Sequence, residues 1–232
     1  MAGKTENLSI GEKLNDFIQR NRKPLIIGIA VLLGLIIALV AFLSIREYVR
    51  SRALTKVDEL SRRYDAIMYS LSYADDETDQ TSLQLALYGL LNDLEDFQKR
   101  NSGYAAARAY AISASIYTEQ GSWYSAENAW LDAAYAGRKT YFAPVAYFNA
   151  AVAAEEQNNI SRAIELYEKA LEFEDLFPAA PRAQFSIGRL YEIQGSYFDA
   201  LFAYQTLVNK WPQDQVWVSL AHSRILYLTL LQ

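Results

Sequence analysis

Three stretches of the chain match one another at a constant offset of 37 residues, and this self-similarity constrains the fold more than any other feature. The first carries Ala114, Tyr117, Gly121, Trp123, Ala126, Trp130 and Ala133. The second carries Ala151, Ala154, Asn158, Ile160, Ala163, Tyr167 and Ala170 in the same frame. The third carries Gly188, Tyr191, Gly195, Tyr197, Ala200 and Tyr204, and ends at Pro212. A period in this range marks a supersecondary unit that stacks on copies of itself. Small residues at Ala114, Ala151 and Gly188 let two helices approach closely, and the aromatics Tyr117, Tyr191, Trp130, Tyr167 and Tyr204 fill the space beside them. Gly121, Asn158 and Gly195 are residue types that accept a left-handed backbone at a helix C-terminus. Trp123, Ile160 and Tyr197 follow by two and close each turn onto the core. The spacing therefore predicts helix pairs, each with an apolar face that only a neighbouring pair can cover.

These segments resemble the tetratricopeptide repeat. IGRLYEIQGSYFDALFAYQTLVNKWP follows that pattern through both helices, and SIYTEQGSWYSAENAWLDAA is nearly as close. NAAVAAEEQNNISRAIELYEKAL keeps the second helix but has Ala154 where an aromatic is usual. The period exceeds the usual ~34 residues, and the extra length is placed in connections such as GRKTYFAP and EDLFPAAP. The resemblance covers residues 104–212. It implies that the first helix of each pair lines a concave groove for peptide ligands. On this chain that face carries Arg108, Ser115, Thr118 and Glu119, then Val145, Phe148, Val152, Glu155 and Glu156, then Arg182, Phe185, Arg189, Glu192 and Ile193. Phe148 and Phe185 are read as apolar anchors within a polar rim, which suits other proteins or unfolded polypeptide segments as partners.

A second constraint is LIIGIAVLLGLIIALVAFLSI, from Leu25 to Ile45, twenty-one residues without a charge. A helix of that length rises about 30 Å, the thickness of a bilayer core. Arg46, Glu47 and Arg50 follow at once, where a signal peptide would show a small-residue cleavage pattern. Residues 25–45 are thus read as a transmembrane helix that contacts the lipid bilayer. In the short tail 1–24, Ile10, Leu14, Phe17 and Ile18 recur at helical spacing, so residues 9–20 are either an amphipathic surface helix or unstructured. Orientation stays open on charge: Arg20, Arg22 and Lys23 precede the span, and Arg46, Arg50, Arg52 and Lys56 follow it.

Residues 46–100 read as a linking helix and a degenerate capping hairpin. Leu54, Val57, Leu60, Tyr64, Ile67, Met68 and Leu71 line one helix, and YADDETDQT follows as a loop. Leu83, Leu87, Leu90, Leu91, Leu94 and Phe97 line a second helix. Residues 214–232 form a last helix that covers the third repeat and has an apolar surface of its own. The fold class expected is all-α: an N-terminal transmembrane helix followed by a tetratricopeptide-like α-solenoid of helix hairpins.

Chemistry finds little support. The absence of cysteine excludes disulfides and thiolate sites. The one histidine, His222, has no partner that would make it a catalytic base or metal ligand. Asp75, Asp76, Glu77 and Asp79 alternate like a calcium loop, but the central Gly is missing and the twelfth place is Ala86; a solvated loop fits better. No phosphate-binding glycine motif occurs. No cofactor, no metal and no catalytic residue are expected. Residues 73–232 carry twenty Asp/Glu against eleven Lys/Arg, a charge that repels nucleic acid.

The layout of short tail, basic RNRKP, single span, linking helix and divergent repeats is similar to the YfgM-type ancillary subunits of the SecYEG translocon. That resemblance implies a bacterial inner-membrane protein with its C-terminal domain in the periplasm, working with the translocon or with periplasmic chaperones. The alternative is a cytosol-facing scaffold that recruits soluble partners.

Overall fold

The computed structural model describes residues 10–230; residues 1–9 of the expected tail and 231–232 of the expected capping helix 214–232 lie outside these. Every regular element among the described residues is helical. The chain divides into two compact units, residues 1–52 and 53–232.

In the first unit, α1 (Ile10–Arg20) is amphipathic, with Ile10, Leu14, Phe17 and Ile18 exposed along one side. The Asn21 side-chain amide donates to the Phe17 carbonyl at 2.9 Å and closes the helix. Helix α2 (Arg22–Ser72) starts with Pro24 in its first turn, where the missing N–H leaves no bond unmade. Its segment from Leu25 to Ile45 exposes its large apolar side chains. It is long and apolar enough to cross a membrane.

The second unit begins within α2. Val57 and Leu60 from α2 are buried with Leu87, Leu90, Leu94 and Phe97 of α3 (Glu77–Arg100), and with Ala105, Ala109, Ile112 and Ile116. The loop expected at residues 73–81 is shorter than its composition suggests, because α3 starts at Glu77. Asp76 accepts from the Asp79 N–H at 2.7 Å as the helix N-cap. Glu77 and Asp79 favour the positive end of the helix dipole, so these acidic residues begin a helix.

Three hairpins follow: α4 (Gly103–Glu119) with α5 (Trp123–Ala136), α6 (Phe142–Glu156) with α7 (Ile160–Leu171), and α8 (Ala180–Ile193) with α9 (Tyr197–Lys210). Each turns through a left-handed residue: Gly121 at φ 66°, Asn158 at 57° and Gly195 at 76°. Behind each, the next N–H reaches back five residues: Ser122 to Tyr117, Asn159 to Ala154 and Ser196 to Tyr191, at 2.8–2.9 Å. This doubly bonded C-cap fixes the turn length and makes the three hairpins alike. Length variation falls between hairpins, where a 3-10 turn (Glu174–Leu176) sits before α8.

Small residues do what their positions demand. Ala114, Ala151 and Gly188 are fully covered or nearly so. A Cβ placed on Gly188 would lie 2.6 Å from the Tyr204 ring, so α8 and α9 touch more closely than any side chain permits. Tyr167 and Tyr204 are among the largest fully buried side chains. Tyr197 departs from its expected role: it is exposed and leaves the third turn open on that side. Helix α10 (Gln215–Leu230) closes the stack, burying Ala221 and Leu228 with Ala200, Tyr204 and Leu207.

Candidate partner-binding surface

The face under test is the one shared by the first helices α4, α6 and α8. Its charged residues turn out to bond one another across successive hairpins. Glu155 on α6 accepts from the Tyr167 hydroxyl at 2.6 Å and is ion-paired with Arg189 on α8. One repeat later, Glu192 on α8 accepts from the Tyr204 hydroxyl at 2.5 Å and is ion-paired with Arg224 on α10. Each carboxylate therefore joins its own hairpin's second helix to the next hairpin's first. The first repeat has no such triad, because Thr118 and Trp130 stand at the corresponding places. Thr118 donates to the Ala114 carbonyl at 2.9 Å instead. Arg108 closes the series at the other end with an ion pair to Asp58 at 2.5 Å and its guanidinium over Tyr104.

These bonds set the protonation of the ladder. Burial first, and then the bond to Glu192, push the Tyr204 hydroxyl far above the usual phenol range, so it stays a donor. Tyr167 is raised in the same way by burial and by Glu155. Burial alone would raise Glu192, but the bonds from Arg224 and Tyr204 outweigh it and hold the carboxyl below its ordinary value.

Of the residues expected to line a groove, Glu119, Glu156 and Arg182 are exposed, and Ser115, Val145, Val152 and Phe185 are half-buried. Ile193 is exposed at the end of α8. Phe148 lies elsewhere than expected: it is 7% exposed, packed edge-on to Tyr167 at 5.2 Å and against Phe177 at 5.9 Å. The exposed Arg182 guanidinium lies 5.0 Å above that ring and covers it. Phe185 keeps partial exposure but leans on Tyr204 and Trp217, with ring centroids 5.3 and 5.4 Å away. What this face offers a partner is thus a polar surface of Glu119, Glu156 and Arg182 beside a half-buried Val152 and Phe185.

Sequence reasoning missed two features. Glu127, nearly buried on α5, accepts from Gln157 at 2.8 Å and from Arg162 at 3.1 Å, bonding the first repeat to the second. A cavity of about 620 Å³ opens between Glu174–Pro178, Pro181, Trp211 and Gln213–Gln215. The Pro and Trp residues near repeat ends were the only signal for it. Among the described residues no group of His, Asp and Glu is arranged to hold a metal ion.

No family model matches the chain. It is 30% identical over 226 residues to a TPR repeat-containing protein of Treponema pallidum (strain Nichols), an alignment that covers 94% of each.

Proposed function

The chain belongs to the tetratricopeptide-repeat family, and from that premise we propose that it is a membrane-anchored protein–protein interaction module. The observation that carries this reading is the stack of α4–α9. Its first helices share one face, at whose surface Glu119, Glu156 and Arg182 are exposed. Mixed charge beside the apolar Val152 and Phe185 suits an extended polypeptide segment, held by hydrogen bonds at the rim and by side-chain burial at the centre. The segment from Leu25 to Ile45 anchors the module in the bilayer.

The layout supports a finer reading. The anchor lies in a bacterial inner membrane, the repeats face the periplasm, and the partners are the protein-export translocon, periplasmic chaperones or emerging chains. The near-tie in flanking charge favours neither orientation, so a cytosol-facing scaffold is the competing reading. Fusing alkaline phosphatase or a fluorescent protein to the C-terminus separates them. Phosphatase activity with a dark fluorescent fusion is the expected result; the reverse removes the periplasmic reading.

A photo-crosslinking residue placed at Glu156 or Arg182 tests the surface itself, with Asp199 and Phe202 on α9 as controls. Adducts are expected from the first pair. Adducts confined to α9 would show that partners use the other side.

A further inference from the structure

Helix α1 is poorly suited to stand alone in water. It is 11 residues long and includes Gly11, Asn15 and Asp16, whereas isolated helices shorter than about 12–15 residues are marginal in water even when rich in alanine. Its Ile10, Leu14, Phe17 and Ile18 are 47–87% exposed, so nothing among the described residues covers them. The helix belongs to the compact unit of residues 1–52, with the apolar run from Leu25 to Ile45, and not to the unit that holds the repeats. At about 3.6 residues per turn the four apolar residues fall within an arc of about 100°. Lys13 and Arg20 border that arc on one side, while Asp16 and Gln19 lie opposite it. Cations beside an apolar stripe, with acid turned away, are the distribution of a helix lying in a lipid interface: the long stems run along the apolar side and their heads reach phosphate.

The junction with α2 is built to bend. The Asn21 N–H bonds to the Phe17 carbonyl at 3.0 Å, and the Leu25 N–H to that of Asn21 at 2.9 Å. Between these two, the Arg22 and Lys23 N–H groups make no backbone bond back to α1, and Pro24 has no N–H to give. Three successive rungs of the ladder are therefore missing, and a helix turns where its rungs are lost.

We propose that α1 lies in the headgroup layer of the leaflet that Leu25 enters, hinged at residues 21–24, with Ile10, Leu14, Phe17 and Ile18 turned into the acyl boundary. The proposal rests on the reading of residues 25–45 as a membrane span and holds for either orientation of the chain. Four apolar side chains are a weak anchor on their own. Here the span holds them beside the surface, so docking is intramolecular and the local lipid concentration replaces affinity. The interface also supplies what an 11-residue helix lacks in water, an apolar medium on one side that rewards internal backbone bonds.

The chain has no cysteine, so one introduced thiol carries one label. Full-length variants with a single cysteine at each position from Lys13 to Gln19, and at Ile36 in the span, are labelled with an environment-sensitive fluorophore. They are reconstituted into phosphatidylcholine vesicles that carry a nitroxide either beside the headgroup or deep in the acyl chain. The shallow nitroxide is expected to quench Leu14→Cys, Phe17→Cys and Ile18→Cys by about threefold or more over Asp16→Cys and Gln19→Cys. The deep one is expected to quench Ile36→Cys best. Uniform quenching along residues 13–19 would overturn the proposal by removing the helix. No quenching there beside a quenched Ile36→Cys would overturn it while leaving the anchor in place. A Leu14→Cys label that is blue-shifted yet unquenched would also overturn it and assign the stripe to a protein surface. An Ile36→Cys label that neither nitroxide reaches would remove the anchor itself, and the proposal with it.

Discussion

Replacing Gly188 by Ala reverses the usual sign of a glycine-to-alanine change in a helix. Helix propensity alone favours Ala by roughly 1 kcal/mol. The new Cβ, however, would lie 2.6 Å from one Tyr204 ring carbon and 2.8 Å from two others. Reaching an ordinary 3.4 Å contact requires the ring to move by about 0.8 Å. That ring is not free to move: its hydroxyl is bonded to Glu192, and Phe185 lies 5.3 Å away on the same side of α8. Overpacking of this kind costs about 1–3 kcal/mol, and the confined ring puts the cost in the upper part of that range. The net destabilisation is then about 1–2 kcal/mol, which lowers Tm by about 2–8 °C in a domain of this size. Gly89 on α3 is the matched control, exposed and with nothing within 4 Å of its would-be Cβ. Gly89→Ala should raise Tm by about 1–4 °C. Circular dichroism melts of the two variants decide the matter. A Gly188→Ala protein that melts as high as Gly89→Ala would refute the close approach of α8 and α9. Adding Tyr204→Leu should remove most of the Gly188→Ala penalty if that ring is the obstacle.

Glu192→Gln removes the charge that Arg224 and Tyr204 both address and should cost about 1.5–3 kcal/mol in melting experiments at neutral pH. Because the folded carboxyl titrates below its unfolded value, this stabilisation is full above pH ~4.3 and disappears as pH falls through the lowered folded value. Glu192→Gln should flatten that acid-side loss, and an unchanged pH profile would remove Glu192 from the ladder. Gly195→Ala tests the left-handed turn alone, since its φ is 76° with open space around it; about 1 kcal/mol of destabilisation is expected in denaturant titration. Phe148→Ala should cost about 3–5 kcal/mol, the value for a core aromatic, and a melt within 2 °C of the parent would return that ring to the surface.

The hairpins were legible in the sequence because each of their requirements falls on a residue type with few alternatives. Only Gly or Asn sits easily at φ near 60°, and only a Gly admits the Tyr204 ring at that distance. The long apolar helix was legible from composition alone. The candidate surface was less so. Phe148 shares a helical side with Val152 and Glu155, yet its ring turns inward because Tyr167 and Phe177 provide a pocket. Phe177 follows a 3-10 turn that no periodic pattern announces. Arg224 was missed because it lies 35 residues after Arg189, two short of the 37-residue offset that the repeats keep. The start of α3 was missed because Asp, Glu and Thr read as loop formers although Asp76 and its neighbours cap a helix.

The shared carboxylates decide how the array comes apart. Glu155 and Glu192 each hold two helices from different hairpins, so no hairpin inside the row can swing without snapping a bond on its far side. The outermost helix α10 has one guanidinium, Arg224, in this ladder beside the buried Ala221 and Leu228. Strain applied there should unzip the row link by link, beginning with Arg224, while the inner hairpins hold.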